Sequence, residues 1–440
     1  MRYITLLLIL SSSALAINYH GCTLAPDNLH GWVVCTDTTL ILRTTDGGQT
    51  WTPQAVPPDT IARRIFDVTC FDDNYAWTTG KHNLHAAEIL ATTNGGSLWE
   101  RQIAGFSKYG TRIEFLNQDY GIAVGGDGAL ARTTDGGGFW DQIFTDWYQA
   151  EYYGVSIVNQ NDSWICAGWP DSLANGQGYI IWTEDGGMTW DTLNGYHAPG
   201  YEDFFDIHMF NVFEGIVVGG YEDTYEPIIW KTSDGGETWN PRGAPANTYY
   251  LRAIDFVDTL GWAVGKSGSI IYTTDGGDTW STQSSPADST LFDVDFTDSQ
   301  HGLACGYDHI LRTTNGGQDW SSVGIEELTT NMPTTIAFSI SPNPFSQITE
   351  IRYELIGSDY QNTSGSAGRA SEYQKPELTI YDATGRLVRD FSDQLSVISN
   401  PSSVRWDGTD DLGKRLPAGV YFAELNTSNK VISNKVVLLE

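Results

Sequence analysis

One eight-residue box constrains this chain more than any other feature. Thr44-Thr45-Asp46-Gly47-Gly48-Gln49-Thr50-Trp51 recurs six more times, with Asn94, Asp135, Asp185, Asp234, Asp275 and Asn315 at the Asp position. The boxes end at Trp51, Trp99, Trp140, Trp190, Trp239, Trp280 and Trp320, spaced 48, 41, 50, 49, 41 and 40 residues apart. A fixed period of this size marks stacked supersecondary units that bury their faces against one another.

The chemistry of one box is readable. Asp-Gly or Asn-Gly between apolar runs is a strong hairpin signal, because the turn needs positive φ. The side-chain oxygen of Asp or Asn can accept bonds from the turn's own amides. These seven side chains are therefore expected to be structural. The Trp opens the next strand and offers a large apolar surface. Ahead of each box lie three strand-like runs, as in Ile254-Asp255-Phe256, Gly261-Trp262-Ala263-Val264 and Ser269-Ile270-Ile271-Tyr272-Thr273. Four short strands per period is the pattern of a propeller blade. The fold class is thus all-β, a seven-bladed propeller. A linear solenoid would need capping ends, and the sequence offers none.

The chain has 440 residues, enough for more than one domain. Its net charge is −31, of which residues 341–440 carry only −3. Such acidity repels phosphate backbones and anionic lipid heads, so nucleic acid is excluded as a partner. Arg2, the apolar run 4–10 and Ala14-Leu15-Ala16 read as an export signal over residues 1–16. Four of the five cysteines lie in apolar strand-like runs and read as small buried hydrophobes. Cys22 with Cys35 is the one pair worth testing for a disulfide.

The boxes, each with a strand ahead of it like Gly261-Trp262-Ala263-Val264-Gly265, resemble the photosystem II stability and assembly-factor family of Asp-box (BNR-type) propellers. The resemblance covers about residues 17–325 and implies protein binding or assembly, with the boxes at an outer hairpin. Sialidases and xyloglucanase-type glycosidases carry similar boxes. The sialidase Arg-Ile-Pro element is absent, and Arg43, Arg132 and Arg312 simply recur just before boxes. A glycosidase needs two carboxylates at a set separation. With 42 acidic residues in 1–340, the count alone identifies no such pair.

After a linker at 326–340, Ser341-Pro342-Asn343-Pro344-Phe345 opens a second β-domain over 341–440. Alternating strands at 348–355, 378–382, 404–408, 418–425 and 431–439 read as a small immunoglobulin-like sandwich. The Pro-Asn-Pro-Phe start, Trp406-Asp407-Gly408-Thr409-Asp410-Asp411 and Leu416-Pro417-Ala418-Gly419-Val420-Tyr421-Phe422 resemble the type IX secretion C-terminal sorting domain and the FlgD-like immunoglobulin domain. That implies export through outer-membrane secretion machinery, then release or surface attachment.

No catalytic motif is present, and no metal site is assigned. Asp407 to Asp411 lacks the Glu of a calcium loop and reads as a hairpin. His82, His85 and Glu88 have no diagnostic metal spacing. Aligning the innermost strands gives the sharpest candidate site. It places Asp67, Glu114, Asp206, His208, Asp255, Asp293 and Asp295 on the channel face with one arginine, Arg112. Such a ring could bind a cation such as calcium or a basic segment of a partner. The aromatics of 147–153 and 201–205, with insertions at 172–178 and 221–227, form a second candidate surface. The expected function is an exported, non-catalytic propeller that binds a protein or cell-surface ligand. The alternative is a glycan-binding protein or glycoside hydrolase of the Asp-box type.

Overall fold

The computed structural model describes all residues except 1–16, 37–39, 57–63, 82–86, 103–104, 106–107, 146–149, 169–177, 193–201, 222–223, 324–334, 357–376, 393–401, 427–430 and 440. The export signal, most of the insertion at 172–178 and the His82–His85 pair therefore lie outside the described residues. Two units separate, Met1–Leu328 and Thr329–Glu440.

In the first unit the described residues form seven four-stranded antiparallel sheets, each a meander whose spatial order follows the chain. Blades 1 to 7 begin with the inner strands Tyr19–Leu24, Arg64–Cys70, Gly110–Phe115, Glu151–Ile157, Glu202–Met209, Leu251–Val257 and Leu291–Phe296. The second strands, such as Gly31–Cys35 and Gly302–Gly306, are buried along their whole length. The fourth strands are two or three residues long and begin after the box Trp, which packs ahead of the strand rather than inside it. The ring closes without strand exchange. Asp308 donates its amide to the Ile17 carbonyl at 2.8 Å, and Asn18 bridges Tyr307.

Each box folds as its chemistry dictates. In blade 6 the Thr273 hydroxyl donates to Asp275 Oδ1 (2.7 Å) and accepts from the Gly277 amide (3.0 Å). Asp275 also takes the amide and hydroxyl of Thr279, at 2.9 and 2.6 Å. Where blade 7 has Asn315 and Asp319 instead, donor and acceptor exchange: Asn315 Nδ2 donates to Asp319 Oδ2 at 3.0 Å. The first box glycine of every blade donates its amide to the turn between that blade's first two strands, as Gly276 does to Thr259. Both box glycines have positive φ throughout. At Gly277 a Cβ would also lie 2.0 Å from Ile216 Cδ1 of the preceding blade.

Blades pack through large side chains on the second strand. Trp77, Trp164 and Trp262 are buried, and each donates its indole N–H to a box glycine carbonyl of the next blade at 3.0 to 3.1 Å. Arg132 on a third strand does the same to Gly186. Arg43 likewise donates to the Asp73 carbonyl of blade 2 at 3.3 Å, so these two arginines fasten neighbouring blades.

The second unit is a two-sheet sandwich. One sheet holds Thr335–Ser341, Thr349–Ile356 and Ser402–Trp406; the other holds Glu377–Asp382, Leu387–Asp390, Gly419–Asn426 and Val431–Leu438. Phe345, Ile351, Ile380, Trp406, Tyr421 and Val436 are among the residues of the shared core. The end of the expected linker is corrected here. Residues 335–340 belong to the first strand, because Phe338 and Ile340 pack against that core. Asp407 and Asp410 accept bonds from their own turns, from Thr409 and from Leu412 and Lys414.

Replacing Trp164 by Ala should cost about 3–5 kcal/mol, the range for emptying a large aromatic site in a core. Urea denaturation of the full chain checks this as a lowered midpoint.

Candidate functional site

An inner strand pairs only with the second strand of its own blade, so its other edge presents unpaired amides to the channel. The channel side chains supply the missing acceptors. Asp67 of blade 2 accepts the Ile113 amide of blade 3 at 2.8 Å, and Glu114 of blade 3 accepts Ile157 of blade 4 at 3.3 Å. Ser156 takes Met209 (2.9 Å), Asp206 takes Ile254 (3.0 Å) and Asp255 takes Phe296 (2.7 Å), each one blade further on. At the closing interface blade 7 gives blade 1 two acceptors: Asp293 takes Cys22 at 2.8 Å and Asp295 takes Leu24 at 2.7 Å. Between blades 1 and 2, His20 Nδ1 donates to the Phe66 carbonyl at 2.8 Å.

All seven candidate residues therefore lie where the alignment put them, lining a cavity of about 300 Å³. The six carboxylates are held within the fold. Asp67, Asp206 and Asp293 are buried around Arg112. Arg112 meets Asp293 at 2.9 Å, Asp206 at 3.1 Å and Asp67 at 3.7 Å. His208 stands apart from that ion cluster, its ring 5.1 Å from Phe256 and 5.2 Å from Phe210.

Burial pushes Glu114 up to about 8 and Asp206 up to about 6, against the pull of amide donors and Arg112. It raises Asp67 too, with Arg112 opposing. Burial raises Asp255, with the charges of Asp206 and Asp293 adding to it, and burial raises Asp295, with the charge of Asp255 adding. The channel is thus less negative at neutral pH than its carboxylate count implies. Among the described residues, a group with metal-ligand spacing is Asp27, His30 and Asp73, outside the channel. There Asp27 already accepts the amides of Leu29 and His30 and meets the His30 ring at 2.5 Å.

One mouth of the channel is built by a repeated irregularity. Every inner strand shifts register at the same place, and one residue bulges out of the ladder. The bulged residues are His20, Phe66, Thr111, Tyr153, Phe205, Arg252 and Phe292. A bulge frees a side chain from the in–out alternation and re-aims it. These side chains meet across blades: His20 stacks on Phe292 (4.8 Å) and sits edge-on to Phe66 (5.4 Å). Tyr153 lies 5.5 Å from Phe205, and the Arg252 guanidinium sits 4.0 Å over the Phe205 ring. Lys266 stands 4.2 Å over Tyr225 and Lys81 5.6 Å over Tyr109 on the same rim. Tyr153 and Phe205 belong to the aromatic segments singled out in the sequence. His20, Phe66, Arg252 and Phe292 were not legible there, because a bulge moves the alternation by one residue. The box rim lies at the opposite end of the strands.

The raised carboxylates set a pH dependence. Glu114 keeps its proton in the folded chain up to about pH 8 but loses it near 4.5 when unfolded. The folded state therefore binds more protons across that window, and stability falls as pH rises through it. His20 and His208, held down to about 4 by burial, oppose this only below the ordinary histidine range. Between pH 7 and 8.5 the thermal midpoint should decline. Glu114→Gln, which keeps an acceptor for Ile157, should flatten the decline in a scanning calorimetry series.

Comparison with known proteins accords with this architecture. The family described as photosynthesis system II assembly factor YCF48 matches residues 8–105 and 199–285, and the secretion system C-terminal sorting domain matches 339–439. A solved structure of YCF48 bound to D1 peptide is 20% identical, with a TM-score of 0.54 over 68% of this chain and 93% of that one. YCF48 from Cyanidioschyzon merolae is also 20% identical, with a TM-score of 0.52 over 68% and 95%. The WD40 propeller domain of Doa1 gives 12% and 0.52 over 69% and 93%. No curated protein matches. The chain is thus similar to the YCF48 assembly-factor family over 8–105 and 199–285 and to secretion-system C-terminal sorting domains over 339–439, and its first unit shares the propeller fold of the solved structures.

Proposed function

We propose that this chain is an exported, non-catalytic binding module that holds a segment of a partner protein at the bulged mouth of its channel. The bulged ring carries the reading: six of its seven side chains are aromatic, imidazole or guanidinium, and they lie on a rim free of the repeated boxes. Aromatic faces and an arginine are the chemistry that dominates protein recognition sites. The channel acids beneath it serve the fold and leave the mouth to the ligand. The YCF48 relative whose structure holds a D1 peptide is a precedent for peptide binding by this fold. The sandwich at 339–439 directs the chain through outer-membrane secretion machinery, to be released or kept at the cell surface.

A glycan is the second reading, since flat aromatic faces stack on sugar rings as on peptide side chains. A cation such as calcium would instead be held below the mouth, by channel carboxylates such as Asp255 and Asp295.

Two experiments test this. A random peptide array probed with the full chain should yield ligands whose binding falls at least 10-fold in Phe66→Ala and in Arg252→Ala, the loss expected of a recognition hot spot. Unchanged binding in both would overturn the mouth as the site, and sugar release from sialosides or β-glucans would favour the second reading. Removing residues 339–440 should leave the propeller inside the envelope, read by fractionation.

A further inference from the structure

Each blade interface repeats one face-to-face position. The second-strand residue paired in register with the upper channel residue faces the inner-strand residue just past that channel position on the next blade. Val124 faces Val155, Val218 faces Ile254 and Val264 faces Val294 in this way, each pair within one core cluster. At the closing interface the same two positions are Cys305, paired in register with Asp293, and Cys22, which follows Gly21. Both are buried, and the Cys22 amide donates to Asp293 at 2.8 Å. The strand Tyr19–Leu24 that carries Cys22 packs directly on the strand Gly302–Gly306 that carries Cys305. No other cysteine is so placed. Cys166 occupies an equivalent position but faces Ile207. Cys35 stands opposite Tyr19, and the Cys70 sulfur meets the Thr23 hydroxyl at 3.3 Å. The pair singled out for testing, Cys22 with Cys35, is not joined: the register sets Cys22 against Val33 and Cys35 against Tyr19.

We propose that Cys22 and Cys305 are an oxidation site, a disulfide that closes the ring covalently between its first and last blades. The step rests on the export reading for its setting in the cell, because exported chains meet thiol oxidants. One thiol attacks the disulfide of an envelope thiol oxidant and gives a mixed disulfide. The second thiol then displaces the oxidant. Two protons and two electrons leave the cysteines, one S–S bond forms, and the oxidant's disulfide is reduced to a dithiol. Burial raises both thiols, so exchange runs while the seam is still open during folding.

The test needs no export. The reduced full chain is unfolded, refolded in a glutathione redox buffer, then denatured under a thiol-blocking alkylator. Three alkylated cysteines, and a non-reduced digest linking the peptides of Cys22 and Cys305, are expected. Reductant should then lower the thermal midpoint by roughly 5–10 °C, as for a cross-link closing a very long loop. The double variant Cys22→Val with Cys305→Val copies the apolar pair of the other interfaces and should fold and ignore reductant. Five alkylated cysteines after refolding, or a link between any other pair, would overturn the proposal. A linked product from refolding beside five free thiols in the cell-derived protein would support the seam geometry and count against export alone.

Discussion

Everything in the propeller depends on how an inner strand satisfies its free edge. A blade can pair this strand on one side only, and the unpaired amides face a channel too narrow to solvate them well. Leaving one buried donor unmade costs about 1–3 kcal/mol. The chain answers with acceptors from the preceding blade: Asp67, Glu114, Ser156, Asp206, Asp255, Asp293 and Asp295 each receive one amide from the next. A carboxyl side chain suits the task because its oxygens accept an amide whether or not it carries a proton. The price is electrostatic. Several acids now share a small volume, and Arg112 with raised carboxylate pKa values relieves the repulsion.

The two rims of the ring are consequently free to differ. On one, seven boxes repeat nearly the same hydrogen bonds, and the indoles and arginines of neighbouring blades depend on those bonds. A substitution there disturbs both a turn and an interface. On the other rim the bulges add one residue per blade that takes no part in the ladder. Such a residue can vary without breaking the sheet, and in this chain it has become His, Phe, Thr, Tyr, Phe, Arg and Phe in turn. Variation concentrated where the fold does not need it is what a recognition surface requires.

Much of this was legible in the sequence. The Asp-Gly-Gly turn declares its own geometry, and the apolar–polar–apolar centre of each inner strand placed the channel residues correctly. Three things were hidden. A bulge leaves no signature in residue type, so Phe66 and Phe292 looked like ordinary alternation. The partner of a channel acid is a backbone amide on another blade, and amides carry no sequence signal; the same acids therefore read as a ligand site. Proximity along the chain favoured Cys22 with Cys35, whereas the topology sets Cys22 across the seam from Cys305. Residues 335–340 read as linker in the sequence because Thr329, Thr330, Thr334 and Thr335 mask the alternation of Ile336, Phe338 and Ile340 that follows.

Closure explains why the seam is built more heavily than the other interfaces. Six interfaces join blades adjacent in sequence, so their loop-closure cost is small. The seventh joins the two ends of the propeller, and its contacts reward the chain only after nearly all of it has been ordered. From blade 2 to blade 7 one amide acceptor per interface suffices, but here Asp293 and Asp295 both reach blade 1, Asp308 and Ile17 exchange bonds through the Ile17 amide and carbonyl, and Asn28 joins Asp298 at 2.8 Å. Among the described residues the interface with the greatest entropic burden thus holds the most channel acceptors, and the residues that fasten it lie at both ends of the repeat array rather than within any one box.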